Sequence, residues 1–292
     1  MGKRAGLRIL PALILLHLSG AAGADKNWKD ASVQVGDIRV HYLEAGSGDR
    51  HLIFIPGLTM TAEVWKEQIP YFSARGFHVI AIDPRGQGLT TKSDGGNTYH
   101  QHAADLHAFL EKLKLEHSTL VGWASGVVTL LEYVASPEAL KPDRLVFVDW
   151  APAGLTEENF PSRIVLQQAR DAALAMEEDR AKATEALVRG MFKAQPPGPL
   201  AKEMTDGSLR TPLGTAIALL FDLATGDRRP AFLHVDVPTL IVTAEENRLI
   251  GEFLQSKISR SQLQVIPDAG HALFLERPQA FNQAIEDFLG KQ

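Results

Sequence analysis

The stretch Leu120-Val121-Gly122-Trp123-Ala124-Ser125-Gly126-Val127 constrains this chain more than any other. An apolar run over 118–121 feeds into it, and a helix-like segment over 127–134 leaves it. A strand that turns abruptly into a helix needs small residues two places either side of the bend, because a larger side chain there meets the opposite wall. The bend residue is forced into a strained backbone conformation that lifts its side chain above the sheet edge. Gly122 and Gly126 take the flanking places, so the bend residue is Ala124, whose methyl group cannot attack a carbonyl. A register centred on Ser125 would put Trp123 and Val127 where small residues are required. Ala124 leaves three readings. It is a serine-to-alanine variant of a chain whose chemistry needs the hydroxyl, or a natural alanine in a protein that binds or does other chemistry, or part of a chance glycine-rich turn.

The chain has 292 residues, 45% hydrophobic and 22% charged, enough for one large core or a core with an inserted cap. A net charge of −5 gives no basic footprint for nucleic acid or an anionic membrane surface. Lys3, Arg4 and Arg8 precede an apolar run over 9–18 and the small-residue stretch Ala22-Gly23-Ala24. That order predicts a secretory signal peptide over 1–24, cut after Ala24, and places the protein outside the cytoplasm, secreted or periplasmic. The apolar run is too short for the ~20 residues of a membrane span, so no stable membrane insertion is expected. With no cysteine in the chain, export brings no disulfide framework.

Apolar runs bounded by turn residues alternate with helix-period segments, which predicts a mostly parallel sheet with helices on both faces. An opening hairpin is expected around Gly36-Asp37, then strands over 51–55, 77–82, 118–121, 144–148, 239–242 and 263–266. Helices are expected over 61–74, 99–115, 251–258 and 278–289. Between 151 and 237 the pattern becomes helical throughout, with segments over 164–176, 180–192 and 215–223 and proline-rich breaks at 195–199 and 226–230. The organisation predicted is a core of 25–150 and 238–292, with 151–237 as a helical lid inserted after the sixth strand.

Four motifs appear in a fixed order. Ile55-Pro56-Gly57-Leu58 closes a strand; Asp83-Pro84-Arg85-Gly86-Gln87-Gly88 follows the next; the Gly122–Gly126 bend, an elbow between strand and helix, is third; and Pro267-Asp268-Ala269-Gly270-His271-Ala272 precedes the last helix. Together they resemble the α/β-hydrolase fold superfamily over nearly all of 32–290. The resemblance implies an α/β-hydrolase fold and a small, largely apolar ester or related acyl substrate. It needs no cofactor, metal or nucleic-acid partner, and nothing in the sequence fixes an oligomeric state.

The same resemblance implies roles for single residues. Position 124 is that of the nucleophile, with serine expected, and His271 is the base. Backbone N–H groups of Leu58 and Ser125 form the oxyanion hole. The acid departs from the usual pattern, because the loop after the seventh strand offers Glu246 and Asn247 rather than aspartate. Asp149, in Phe147-Val148-Asp149-Trp150 at the tip of the sixth strand, is the preferred acid, with Glu246 and Asn247 as fallbacks. An acid in that place resembles haloalkane dehalogenases and cofactor-free quinolone dioxygenases, which leaves a non-hydrolytic enzyme using a His-Asp base, dioxygenase- or lyase-like, as an alternative. A binding pseudoenzyme is another. Trp123, Trp150, Met60 and Phe160, together with Trp65, are expected to wall the pocket. Among the ten histidines, His100, His102 and His107 are expected on a solvated helix face.

Overall fold

The computed structural model describes Gly2, residues 27–152 and residues 166–290. Apart from Gly2, the expected signal peptide lies outside the described residues, as do Phe160 and the start of the helix expected over 164–176. Eight strands form one sheet: β1 (Lys29–Val35), β2 (Ile38–Ala45), β3 (Arg50–Ile55), β4 (Phe77–Ile82), β5 (Ser118–Trp123), β6 (Arg144–Val148), β7 (Thr239–Ala244) and β8 (Ser261–Ile266). Their spatial order is β1-β2-β4-β3-β5-β6-β7-β8, with β2 antiparallel to both its neighbours, β1 and β4, and every other neighbouring pair parallel. A strand covered on both faces has no polar side to show, and β5 is buried at every position, from Ser118 to Trp123.

Helices α2 (Tyr99–Leu113), α3 (Ser125–Ala135) and α8 (Arg248–Lys257) cover one face through Leu106, Phe109, Leu130 and Leu254. Helices α1 (Gln68–Ser73), α9 (Leu273–Glu276) and α10 (Pro278–Gly290) cover the other through Phe72, Phe274, Phe281 and Ile285. Trp65 belongs to this second core, stacked on Phe274 with ring centroids 4.3 Å apart, and it does not line the cavity expected of it. Its apolar body is worth more among aromatics than at a wet cavity wall.

Between β6 and β7 the described residues hold four α-helices, α4 (Leu166–Glu178), α5 (Arg180–Gly190), α6 (Gly198–Leu209) and α7 (Leu213–Thr225), followed by a 3-10 turn, Arg229–His234. Helix α6 was not expected. Its Gly198-Pro199 start looks like a break, yet proline in the first turn spends no hydrogen bond, because the N–H it lacks has no helical acceptor there. The same rule corrects the helix expected over 61–74. It divides into a 3-10 turn, Ala62–Trp65, and α1, which starts at Gln68 so that Pro70 falls in its first turn. His102 also departs from expectation, since it is 4% exposed and its Nε2 bonds to the Arg85 carbonyl at 3.1 Å.

Candidate active site

The loops after β3, β5, β6 and β8 converge at the carboxyl ends of the strands, where ligands of open α/β sheets bind. Backbone strain marks all four. Thr59, Ala124, Asp149 and Asp268 have φ of 61°, 51°, 44° and 53°, a region that side chains other than glycine's avoid.

At the elbow, Ala124 has φ 51° and ψ −119° and heads α3. Its N–H donates to the Val148 carbonyl at 3.0 Å, and its own carbonyl accepts from Val127 N–H at 3.0 Å. The glycines are required by contact. A Cβ on Gly122 would lie 2.6 Å from the Gly126 backbone, and one on Gly126 would lie 2.5 Å from the Ile55 carbonyl oxygen. The elbow therefore leans directly on the β3 loop, and a Cβ on Gly57 would come 3.2 Å from the Ala124 methyl.

The β3 loop is braced from behind. Gln87 accepts the Thr59 N–H at 2.6 Å and donates to the Gly57 and Met60 carbonyls at 3.4 and 3.3 Å. Asp83 accepts from the N–H groups of Ala62 and Leu89, both at 2.7 Å. The Asp-Pro-Arg-Gly-Gln-Gly turn thus fixes the loop's shape. Among the described residues, the neighbouring Thr59 and Ala124 amides are engaged, while the N–H groups of Leu58 and Ser125 have no protein acceptor. Ser125 is buried, beside Tyr99, whose phenol burial pushes well above its usual range while the serine hydroxyl moderates the rise.

His271 Nδ1 lies 2.7 Å from Asp149 Oδ2. The Asp149 side chain is fully buried, and two further donors support it: Ala244 N–H to Oδ1 and Asn247 Nδ2 to Oδ2, both at 2.9 Å. A buried carboxylate needs such partners to remain charged. Beside a carboxylate, Nδ1 carries the ring proton, which leaves the Nε2 lone pair of a neutral imidazole available. Asn247 therefore touches the acid and not the imidazole Nδ1, while exposed Glu246 stands at the cavity wall. The His271 loop is pinned at its backbone. Trp123 Nε1 donates to the His271 carbonyl at 3.0 Å, Ala272 N–H to the Met191 carbonyl at 2.8 Å, and Gly270 N–H to Glu276 at 2.7 Å.

Above these groups lies a cavity of about 490 Å³ whose walls include Leu58, Ala124, Ser125, Asp149 and His271. Of the residues expected to wall it, Met60, Trp123 and Trp150 do so. Residues not anticipated from sequence complete it: Leu187 and Met191 around α5, Leu220 and Leu223 of α7, and Ile250 of α8. Of the described residues no Lys or Arg lines it. Among the described residues no cluster of three or more His, Cys, Asp or Glu side chains could hold a metal ion.

Residues 52–284 match the profile of the alpha/beta hydrolase family. The chain is 26% identical over 263 residues to a putative non-heme chloroperoxidase from Synechocystis, spanning 86% of this chain and 95% of that protein. It is 28% identical over 268 residues to the serine hydrolase BPHL of Mus musculus, spanning 89% and 86%. An esterase from Exiguobacterium antarcticum superposes with a TM-score of 0.84 at 20% identity, over 89% of this chain and 99% of that one, a likeness of fold.

Proposed function

The chain belongs to the alpha/beta hydrolase family, and from that premise we propose that its cavity is the site of a serine-type carboxylic ester hydrolase with alanine in the nucleophile's place. The substrate class proposed is a small, largely apolar and uncharged ester. The observation that carries the reading is the Asp149–His271 pair at 2.7 Å, lining the same cavity as Leu58, Ser125 and the strained residue 124.

With serine at 124, the hydroxyl would attack the ester carbonyl while His271 Nε2 takes its proton. Asp149 would hold the ring and oppose the imidazolium charge, and the two amides would receive the negative charge on the former carbonyl oxygen. His271 would then return the proton to the leaving alkoxide, and water would repeat the sequence on the acyl-enzyme. The helices between β6 and β7 act as the cap, supplying the apolar walls that select the acyl group. Alanine leaves the pocket, the base and the amides and removes only the covalent step.

The test compares the chain as written with Ala124→Ser, using p-nitrophenyl acetate and butyrate and a fluorophosphonate label. Loss of a triad nucleophile costs about 10⁶ in turnover, so only the serine variant should hydrolyse and label. A serine variant that folds yet does neither would remove the basis of the hydrolase reading.

A further inference from the structure

We propose that the chain as it stands, with Ala124 in place, abstracts a proton from the carbon next to a neutral ketone's carbonyl and holds the resulting enolate. This activity rests on the reading of His271, Asp149 and the two amides given above, and it needs no nucleophile.

His271 Nδ1 is committed to Asp149, so the nitrogen able to accept a proton is Nε2, on a ring that lines the cavity. A serine at 124 would offer that nitrogen a hydroxyl, whereas a methyl group offers neither donor nor acceptor, which leaves the base for the ligand itself. Asp149 is buried and triply supported, so it opposes the imidazolium charge as it forms without reorganising. Leu58 and Ser125, whose N–H groups are unclaimed by the protein among the described residues, line the same space. Ser125 also begins the eleven-residue α3, whose N-terminus favours negative charge. A tetrahedral oxyanion and an enolate oxygen ask the same of such donors. The apolar walls and the lack of Lys or Arg among the described lining residues select an uncharged ketone.

The electrons balance within the ligand. The C–H pair of the carbon next to the carbonyl becomes the second bond of the enolate, the carbonyl π pair moves to oxygen, and the proton goes to Nε2. Its return to the same carbon regenerates the ketone. When the imidazolium exchanges its proton with solvent first, the carbon takes a solvent hydrogen. Nothing is oxidised, no group leaves and no co-reactant enters.

The measurement is deuterium incorporation at the benzylic carbon of phenylacetone in buffered D₂O, followed by proton NMR. Three proteins are compared: the chain as written, His271→Gln and Asp149→Asn, with circular dichroism as the check on folding. General-base catalysis is worth about 10²–10⁴, so the chain as written should exchange at least ~100-fold faster than His271→Gln. Saturation-transfer NMR reports ketone binding in each protein. Should a variant unfold, exchange by the chain as written is inhibited competitively with benzyl acetate, an ester of similar shape. Exchange that persists in folded His271→Gln, or that benzyl acetate does not inhibit, overturns the proposal. So does absence of exchange when the ketone binds, or absence of binding itself. Fluorophosphonate labelling of Ala124→Ser separates the two readings. Labelling without exchange overturns this inference and leaves the hydrolase site standing; exchange without labelling does the reverse.

Discussion

Asp149 has no exposed side-chain surface and is approached by three hydrogen-bond donors, one from the last residue of β7 and one from the turn that follows it. The carboxylate thus comes from the sixth strand and part of its support from the seventh. In the Ala124→Ser background, Asp149→Asn should lower turnover by about 10²–10⁴, because an amide keeps the shape but presents the wrong hydrogen-bond pattern to the imidazole. Asn247→Ala should cost less than about tenfold, since it removes one neutral donor while the Ala244 amide and His271 remain. Steady-state kinetics of the two variants check both. Residue 124 itself carries strain, and Ala124→Gly should raise the unfolding midpoint. Glycine adopts φ 51°, ψ −119° without a Cβ clash, which recovers about 1–3 kcal/mol against roughly 1 kcal/mol of extra chain entropy. A calorimetric midpoint at or below that of the parent contradicts this. At this scale, residues that act by type were legible: glycines at a bend, a histidine after Gly270, an aspartate at a strand tip. The bracing by Gln87 and the support that Asn247, read only as a fallback acid, gives to Asp149 were not, because an amide in such a role carries no spacing or charge signature until the chain is folded around it.

Helix α2 imposes an acid limit on the fold. It buries His102, and burial pushes the ring's pKa down to about 4. From about pH 6.5 down to 4 the unfolded chain therefore binds a proton that the folded chain refuses, and stability falls across that window by about 3 kcal/mol. His102→Gln, which keeps a donor for the Arg85 carbonyl, should flatten the acid side of a urea-stability profile. His41 acts in the opposite sense. Burial alone would lower its pKa, but the hydrogen bond and charge of Asp83, with Asp30, raise it above its ordinary value. Its contribution is full below about pH 6.5 and fades as pH rises through the raised value. An unchanged acid slope in His102→Gln would show that other groups set the limit. The main β-strands and the larger helices were legible because parallel strands read as apolar runs and helices as a 3.6-residue period. The exceptions all involve proline or burial. Pro199 begins a helix where it seemed to break one, Pro70 falls in the first turn of a helix where a longer one was expected to run through it, and His102 lies on the buried side of a helix whose polar residues suggested solvent.

Across the whole molecule, the helices between β6 and β7 are fastened to the loops that carry the site. Thr59 Oγ1 and Ser208 Oγ share a hydrogen bond at 2.6 Å, Glu276 accepts from the N–H groups of Lys193 and Ala194, and Asp222 accepts the Tyr99 N–H at 2.8 Å. Sequence showed that this region is helical but not where it binds, since each of these contacts joins residues far apart in the chain. The leader read from 1–24 gives a prediction at the same scale. Protein recovered from the medium or periplasm should have an intact mass beginning at Asp25, and soluble exported protein that retains Met1 refutes it. The elbow has a further consequence. Its backbone conformation is imposed by glycines and by the neighbouring β3 loop, and it persists when the side chain at 124 is only a methyl group. Alanine and serine codons of the GCN and UCN sets differ by a single base. Under the proposed triad, one point mutation at position 124 would remove or restore the covalent step while leaving the fold of the elbow unchanged.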